Sequence, residues 1–248
     1  MVPNWKDLRH AYGSAEDLPA ILAELEPDPT APAWGELWGR VCHQGTTYSA
    51  SVYVLPFLLS AASDWGPVGR VMPLFLSGAI VLGRESVLTG REALVEALRS
   101  LALETVKAGE LSRSDRIYVM QSVLALGGEQ VWGRVLDHLN DGEFPGQCPF
   151  CRTDLYFAIG QYGFFCAAGE WVRNPETPRT EITPRLAEEL VGVGLWLNAV
   201  CVDSGDPTLA KWICYLFGVS TCPNCHQQVD VPFAITELEK SMVDQTRP

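Results

Sequence analysis

Two C-P-x-C motifs that lie far apart in the chain constrain its fold more than any other feature. CPFC begins at Cys148 and CPNC begins at Cys222, with 70 residues between the two pairs. Each motif is followed by polar residues and then by an apolar, strand-like run. In a zinc knuckle the turn between two cysteines directs backbone N–H groups at the sulfurs, and both sulfurs reach one ion. The sequence therefore predicts one four-thiolate site with the ligands Cys148, Cys151, Cys222 and Cys225.

The predicted role of this site is structural. Zn²⁺ is the expected metal, one ion per chain, and iron in the same cage is the alternative. Four cysteines fill a tetrahedral shell, whereas a catalytic zinc keeps an open position, and no HExxH or HxE motif accompanies them. A redox pair needs a CxxC at the start of a helix, but strand-like residues follow here. A compact zinc ribbon has about 15 to 20 residues between its pairs, so the longer segment is an insertion or a shared core with its ends held together by the metal.

The residue after each second cysteine is Arg152 or His226, where a knuckle usually has glycine. If that position needs a positive φ, each residue costs about 1 kcal/mol, which metal binding offsets. We expect the His226 side chain to face solvent and not to bind the metal.

The other cysteines and histidines have expected structural roles. Cys42, Cys166, Cys201 and Cys214 lie in apolar surroundings, as small buried side chains do. His10 and His138 follow the polar sides of helices and are expected to touch solvent.

Residues 1–140 are predicted to form a helical domain. Apolar residues recur at helical spacing, with Ser14 and Thr30 as expected N-caps and Gly45 as a stop signal. Seven helices with short connections predict stacked antiparallel pairs, an α-solenoid, although the periodicity fits an irregular bundle equally well. The fold class is mainly α.

Residues 141–248 are predicted to form a zinc-ribbon-like region with knuckles at 148–151 and 222–225. A β-hairpin of strands Leu155–Ile159 and Phe164–Ala167 and two helices are inserted between the knuckles. Loops are expected at 142–147 and 174–184, and a short strand or helix over 231–242.

Composition narrows the classes of partner and location. The formal net charge is −12, with 11 basic and 16 acidic side chains up to residue 140 and 7 and 14 after it. This surface repels nucleic acids and attracts a basic protein. The N-terminus lacks the apolar core of a secretory signal, and no apolar run reaches the roughly 20 residues that span a bilayer. A cytoplasmic location is expected, where eight cysteines do not form a disulfide framework.

The segment ELWGRVCHQGTTYSASVYVLPFLLSA, residues 36–61, resembles a segment of bacterial HEAT-repeat-like proteins. The residues that carry the resemblance are Trp38, His43, Gln44, Gly45, Tyr48, Ala50, Pro56, Phe57 and Leu58. The rest of the chain is similar to actinobacterial proteins that append two CPxC knuckles. The resemblance implies an α-solenoid binding scaffold, and some such proteins act as immunity proteins beside toxins. His43 and Gln44 are expected to bond carbonyls at a helix end, with ligand contact as the alternative.

These observations favour a non-enzymatic interaction protein stabilised by a structural zinc, with immunity against a basic toxin as one form of that function. Two alternatives stay open: a nucleic-acid-binding or DNA-processing module on a HEAT-like frame, and a regulator whose zinc site responds to metal or oxidant. A small-molecule substrate is not indicated, because no GxSxG motif, phosphate-binding glycine loop or EF-hand loop is found.

Overall fold

A computed structural model of the protein describes residues 3–83 and 87–245, with side chains through Ser241. The chain divides into two compact units, residues 1–136 and 137–248. The predicted domain boundary lies four residues later, after residue 140. The described residues form eleven α-helices and small antiparallel sheets, and about half of them are helical.

Unit 1, residues 1–136, is built mainly from helices. Its helices are α1 (Leu18–Ala23), α2 (Pro32–Val41), α3 (Ser51–Asp64), α4 (Val71–Val81), α5 (Glu92–Thr105), α6 (Arg113–Leu126) and α7 (Trp132–Val135). Two short hairpins are formed by the strands β1 (Arg9–His10), β2 (Gly13–Ser14), β3 (Cys42–His43) and β4 (Thr46–Thr47). Pro56 lies inside α3, and Pro73 lies in the first turn of α4.

Helix α4 lies at the centre of the packing in unit 1, against α3 and α6. A Cβ at Gly78 of α4 would lie 2.9 Å from the Cβ of Ala125 on α6, so the missing side chain lets these helices approach closely. Phe75 of α4 stands between Trp38 and Tyr118, with ring centroids 5.1 and 4.5 Å away. These contacts bury the apolar faces that the sequence periodicity indicates.

Both N-cap predictions in unit 1 are wrong. Ser14 lies in β2, and α1 begins after Asp17 because Pro19 fits the first turn of a helix. Pro32 likewise starts α2, whose N-cap is Ala31, while the Thr30 hydroxyl donates to Asp28 at 2.7 Å.

The predicted end of the second helix and the predicted seventh helix also differ from the structure. Helix α2 ends at Val41, and Gly45 stands in the β3–β4 turn beside Gln44, with φ of 74° and 50°. Two residues with positive φ are typical of a tight hairpin turn, and this turn pulls the segment out of the helix. The seventh helix, which the sequence predicts over residues 129–140, is two short helices, α7 and α8 (His138–Asp141), and the division between the units falls between them.

Unit 2, residues 137–248, contains the larger sheet. Four antiparallel strands pair in the order β5 (Glu143–Gln147), β6 (Asp154–Gly160), β7 (Gly163–Ala167) and β8 (Arg179–Glu181). The remaining elements are α9 (Gly192–Asp203), α10 (Pro207–Leu216), the hairpin of β9 (Val219–Thr221) with β10 (Gln228–Asp230), and α11 (Val231–Gln245). The predicted β6–β7 hairpin is confirmed, and the segment expected as a strand or helix is helix α11.

Two segments predicted as loops contribute strands to this sheet. Residues 143–147 form the edge strand β5 despite Pro145, because an edge strand has one side that needs no N–H donor. Residues 179–181 form the other edge, β8, within the polar segment expected to be a surface loop. Helix α11 packs on β5, and α10 packs on α9 and β6.

Within residues 3–83 and 87–245, no helix combines the length and the apolar character needed to cross a bilayer.

Candidate metal centre

The two CPxC motifs occupy equivalent hairpin turns. Cys148 directly follows β5 and Cys222 directly follows β9, and in each case the partner strand starts six residues later. In the first turn the Cys148 N–H donates to Thr153 O at 2.9 Å, and the Arg152 N–H donates to Cys148 O at 3.0 Å. The second turn repeats these bonds, from Cys222 to Gln227 at 2.9 Å and from His226 to Cys222 at 3.0 Å. Both motifs therefore fold as knuckles that present their two sulfurs on one side.

Each knuckle has a left-handed residue after its second cysteine. Arg152 has φ 63° and His226 has φ 58°. This position does need a positive φ, which costs a residue other than glycine roughly 1–2 kcal/mol. The His226 side chain is exposed and lies outside the group of possible metal ligands, as expected.

The four predicted ligands, Cys148, Cys151, Cys222 and Cys225, come together although 70 residues separate the pairs. All four sulfurs lie within 4.8 Å of one another. Two of these separations join different knuckles: 3.7 Å from Cys148 Sγ to Cys225 Sγ, and 3.8 Å from Cys151 Sγ to Cys222 Sγ. A tetrahedron with metal–sulfur bonds of about 2.3 Å has edges of about 3.8 Å, so the cage has the size for one tetrahedral ion.

Polar side chains from both knuckles surround the Cys151 sulfur. The amide of Asn224, in the second knuckle, donates to Thr153 Oγ1 at 2.8 Å and to Cys151 Sγ at 3.7 Å. The Cys151 thiol contacts Thr153 Oγ1 at 3.2 Å, and the Thr153 hydroxyl can donate to the same sulfur once it is a thiolate. Such bonds orient a metal ligand and stabilise its negative charge.

The electrostatics of the cage favour a bound cation. The side-chain and backbone hydrogen bonds of Thr153 lower the pKa of the Cys151 thiol to about 6. The backbone bond from Gln227 lowers the pKa of Cys225, but desolvation and the three other sulfurs outweigh it and raise that pKa to about 12. Burial raises the pKa of Cys222. Four sulfurs this close cannot all become thiolates without a positive charge among them, because like charges disfavour ionisation.

The cage has a buried half and a half that solvent reaches. Cys148 and Cys222, the first cysteine of each knuckle, are fully buried, while Cys151 and Cys225 are partly exposed. None of the eight cysteines of the chain forms a disulfide bond. Of the four predicted to be buried away from the site, Cys42, Cys166 and Cys201 are buried, but Cys214 is only partly so. Burial raises the pKa of Cys166 to about 12 and that of Cys42 to about 11, so neither thiol is reactive at neutral pH.

Two expectations for histidines in unit 1 are wrong. His10 is buried in β1, where its Nδ1 accepts from the Tyr12 N–H at 3.0 Å and its Nε2 lies 2.9 Å from Asp17 Oδ1. His43 does not end a helix but lies in β3, and its Nδ1 is 3.4 Å from Tyr12 Oη. The short β-hairpins that hold both histidines replace the helical segments expected there.

Thr153 and Asn224 are the site residues that the sequence reading missed. A polar residue inside a CPxC knuckle or just after it is the only signal in the sequence. Their contact becomes evident once the two knuckles face each other.

No protein-family model, curated protein or solved structure matches this chain.

Proposed function

We propose that this chain is a non-enzymatic interaction protein whose C-terminal unit is locked by one structural zinc ion. The observation that carries the proposal is the convergence of four cysteine sulfurs at tetrahedral spacing. Zn²⁺ binds soft thiolate ligands, and it has no electronic preference that would oppose a tetrahedral arrangement. Iron is the alternative metal for this site. Bound zinc would cross-link the two knuckles and neutralise the charge of their thiolates.

The ligand set favours a structural role over a catalytic one. Four protein sulfurs complete a tetrahedral shell, so no position is left for a water or a substrate. Cys148 and Cys222 are fully buried, so half of the cage lies in the interior of unit 2, where a bound ion would stabilise the fold. The second knuckle joins the sheet through a bridge between Thr183 and Val219, so the ion would tie this hairpin to the end of β5.

Metal analysis of the purified chain tests this part of the proposal. We expect one zinc per wild-type chain, and none in a Cys148→Ser, Cys222→Ser variant. Cys201→Ser is the matched control, because Cys201 is a buried thiol outside the cage and its loss leaves the zinc content unchanged. Iron in the wild type, or zinc retained in the double variant, would contradict the proposal.

We further propose that unit 1 is a HEAT-like α-solenoid that binds a basic protein. Helices that are separated by one other helix in the sequence pack together: α3 packs with α5, and α4 packs with α6. Neighbouring helix pairs of a solenoid pack in the same way. The −12 net charge disfavours nucleic acid and attracts a basic partner, of which a toxin neutralised by an immunity protein is one example. The resemblance of residues 36–61 to HEAT-repeat-like proteins supports the same interpretation.

Capture from a lysate of the source organism at two salt concentrations tests the interaction. We expect a basic protein to bind at low salt and to be lost at about 0.5 M salt, because screening removes attraction between exposed charges. A second chain of matched size and neutral charge on the same resin is the control. Capture of only acidic proteins, or of nucleic acid, would contradict the proposal.

A redox-responsive regulator is the second candidate. The partial exposure of Cys151 and Cys225 favours it, because an oxidant can reach a sulfur only from solvent. Dilute hydrogen peroxide with a chromophoric zinc indicator separates the candidates. Zinc that stays bound supports the structural role, and rapid, reducible zinc release supports the regulator.

A further inference from the structure

A concave pocket of about 460 Å³ lies beside the first knuckle. One wall is the knuckle itself, with Gln147, Cys148, Pro149 and Arg152. The other wall is one face of α11, where Phe233, Glu237, Lys240 and Ser241 recur at i, i+4, i+7 and i+8. Neither the metal cage nor the proposed basic partner accounts for this pocket.

The lining of this pocket is positively charged, whereas the chain as a whole is negatively charged. Its charged lining residues are Arg152, Lys240 and Glu237, which gives a net positive lining in a protein of net charge −12. Lys240 already pairs with Glu237 at 3.0 Å. Among the side chains that the structure describes, that of Arg152 is exposed, and its guanidinium forms no hydrogen bond or ion pair. The pocket thus presents one uncompensated guanidinium, a group that binds carboxylates with two parallel hydrogen bonds.

An apolar platform lies next to this cation. Phe233 is 47% exposed although it lies on a helix whose opposite side packs on β5. Pro149 is exposed at the facing wall, and its neighbour Phe150 is 60% exposed. The pocket therefore combines a carboxylate-binding group with apolar surface for one side chain, and its exposed rim leaves room for a chain to continue into solvent.

We propose that this pocket binds the C-terminal carboxylate of a peptide chain whose last side chain is apolar. Arg152 binds the carboxylate, Lys240 adds positive potential, and Phe233 with Pro149 packs on the apolar side chain. A chain end fits better than an internal acidic residue, because it carries the carboxylate and the side chain on the same carbon. The proposal goes beyond the structural metal and does not depend on which metal is bound.

An NMR titration of the full chain, in its metal-bound form, tests the proposal. The probe is the peptide N-acetyl-Ser-Gly-Phe with a free carboxylate, compared with the same peptide as its C-terminal amide. We expect saturable shifts at the backbone amides of Arg152, Phe233 and Lys240 with the free acid, and binding at least about tenfold weaker with the amide. Equal binding of the two peptides, or no shift at millimolar peptide, would overturn the proposal.

The two knuckles supply a matched pair of variants. Arg152→Gly removes the cation and relieves the positive φ, so the fold and the metal content are retained while the affinity for the free acid falls about tenfold or more. His226→Gly makes the same backbone change in the other knuckle, which does not line the pocket, and leaves that affinity unchanged. Equal effects of the two variants would show that Arg152 does not bind the peptide.

A third probe, 3-phenylpropionate, separates a peptide site from a site for small acids. It carries the carboxylate and the ring but none of the preceding peptide. We expect it to bind at least about tenfold more weakly than the free-acid peptide, because the exposed rim offers contacts to the preceding residues. Binding as tight as that of the peptide would make this a small-acid pocket and would overturn the peptide proposal.

Discussion

At the residue scale, the spacing of the cysteines alone was enough to predict the four residues that come together. Short-range CPxC spacing fixes how each pair of sulfurs points, and the hairpin bonds at Cys148 and Cys222 are local. The contact of Asn224 with Thr153 was not predictable, because it joins residues 71 positions apart and depends on how the two knuckles face each other. The burial of His10 was missed for a different reason: it was expected on the polar side of a helix, but it lies in the short strand β1, where Asp17 and the Tyr12 N–H bond its ring.

His226→Gly is expected to raise the free energy of unfolding of the metal-bound protein by about 0.5 kcal/mol. With histidine, the left-handed φ destabilises the folded state by roughly 1–2 kcal/mol. Glycine removes this strain, but it loses more backbone entropy on folding, which offsets about 0.5–1 kcal/mol of the gain. His226→Ala keeps the Cβ and therefore the strain, and is the control. Urea unfolding measures both variants. A glycine variant that is no more stable than the alanine variant would contradict the role of the positive φ.

Asn224→Ala is expected to weaken metal binding by about 10- to 100-fold, because it removes the amide that bonds Thr153 and the Cys151 sulfur. Competition with a chromophoric chelator measures the affinity. Gln227→Ala is the control, because Gln227 is exposed and only its backbone bonds the knuckle. If both variants bind the metal equally, the amide of Asn224 does not support the site.

At the element scale, long periodic helices such as α3 to α6 were predictable, and short pairings were not. Residues 143–147 contain Pro145 and Gly146 and directly follow Gly142, so the sequence predicts a loop, whereas the segment forms a strand by pairing with β6. The hairpin β3–β4 interrupts what the sequence indicates as the end of a helix, because its two turn residues both have positive φ. These short strands form because they pair with a neighbouring strand, and the local strand propensity of the sequence does not show that pairing.

Gly218→Ala is expected to destabilise unit 2 by about 1–3 kcal/mol, as overpacking does. A Cβ at Gly218 would lie 2.4 Å from the backbone oxygen of Thr183, which also accepts the Val219 N–H at 2.9 Å. The change pushes β9, and with it the second knuckle, away from the sheet. Thermal unfolding measures the loss. Gly35→Ala is the control, because a Cβ at this exposed helical glycine meets nothing within 4 Å and should stabilise the protein slightly. A Gly218→Ala variant as stable as wild type would contradict the role of this contact.

At the scale of the whole molecule, the candidate metal site belongs to one unit only. All four cysteines lie within residues 137–248, while residues 1–136 form a compact unit with a core of their own. The change from helical periodicity to strand-like runs predicts a boundary after residue 140, and the two units divide after residue 136. The path of the chain within each unit depends on contacts between distant segments. The hydrophobic periodicity of the sequence does not predict these contacts.

Chelation of the metal is expected to loosen unit 2 and to leave unit 1 folded. Without the ion, four clustered sulfurs lose the charge that holds them together, and the hairpins that carry them lose their cross-link. Hydrogen exchange followed by mass spectrometry resolves the two units within the full chain. We expect exchange in residues 137–245 to accelerate at least about tenfold after chelation, with little change in residues 3–83 and 87–136. The same chelator loaded with zinc beforehand is the control. Equal acceleration in both units would mean that the metal stabilises the whole chain, and no acceleration in either would mean that the cysteine cage is not needed for the fold.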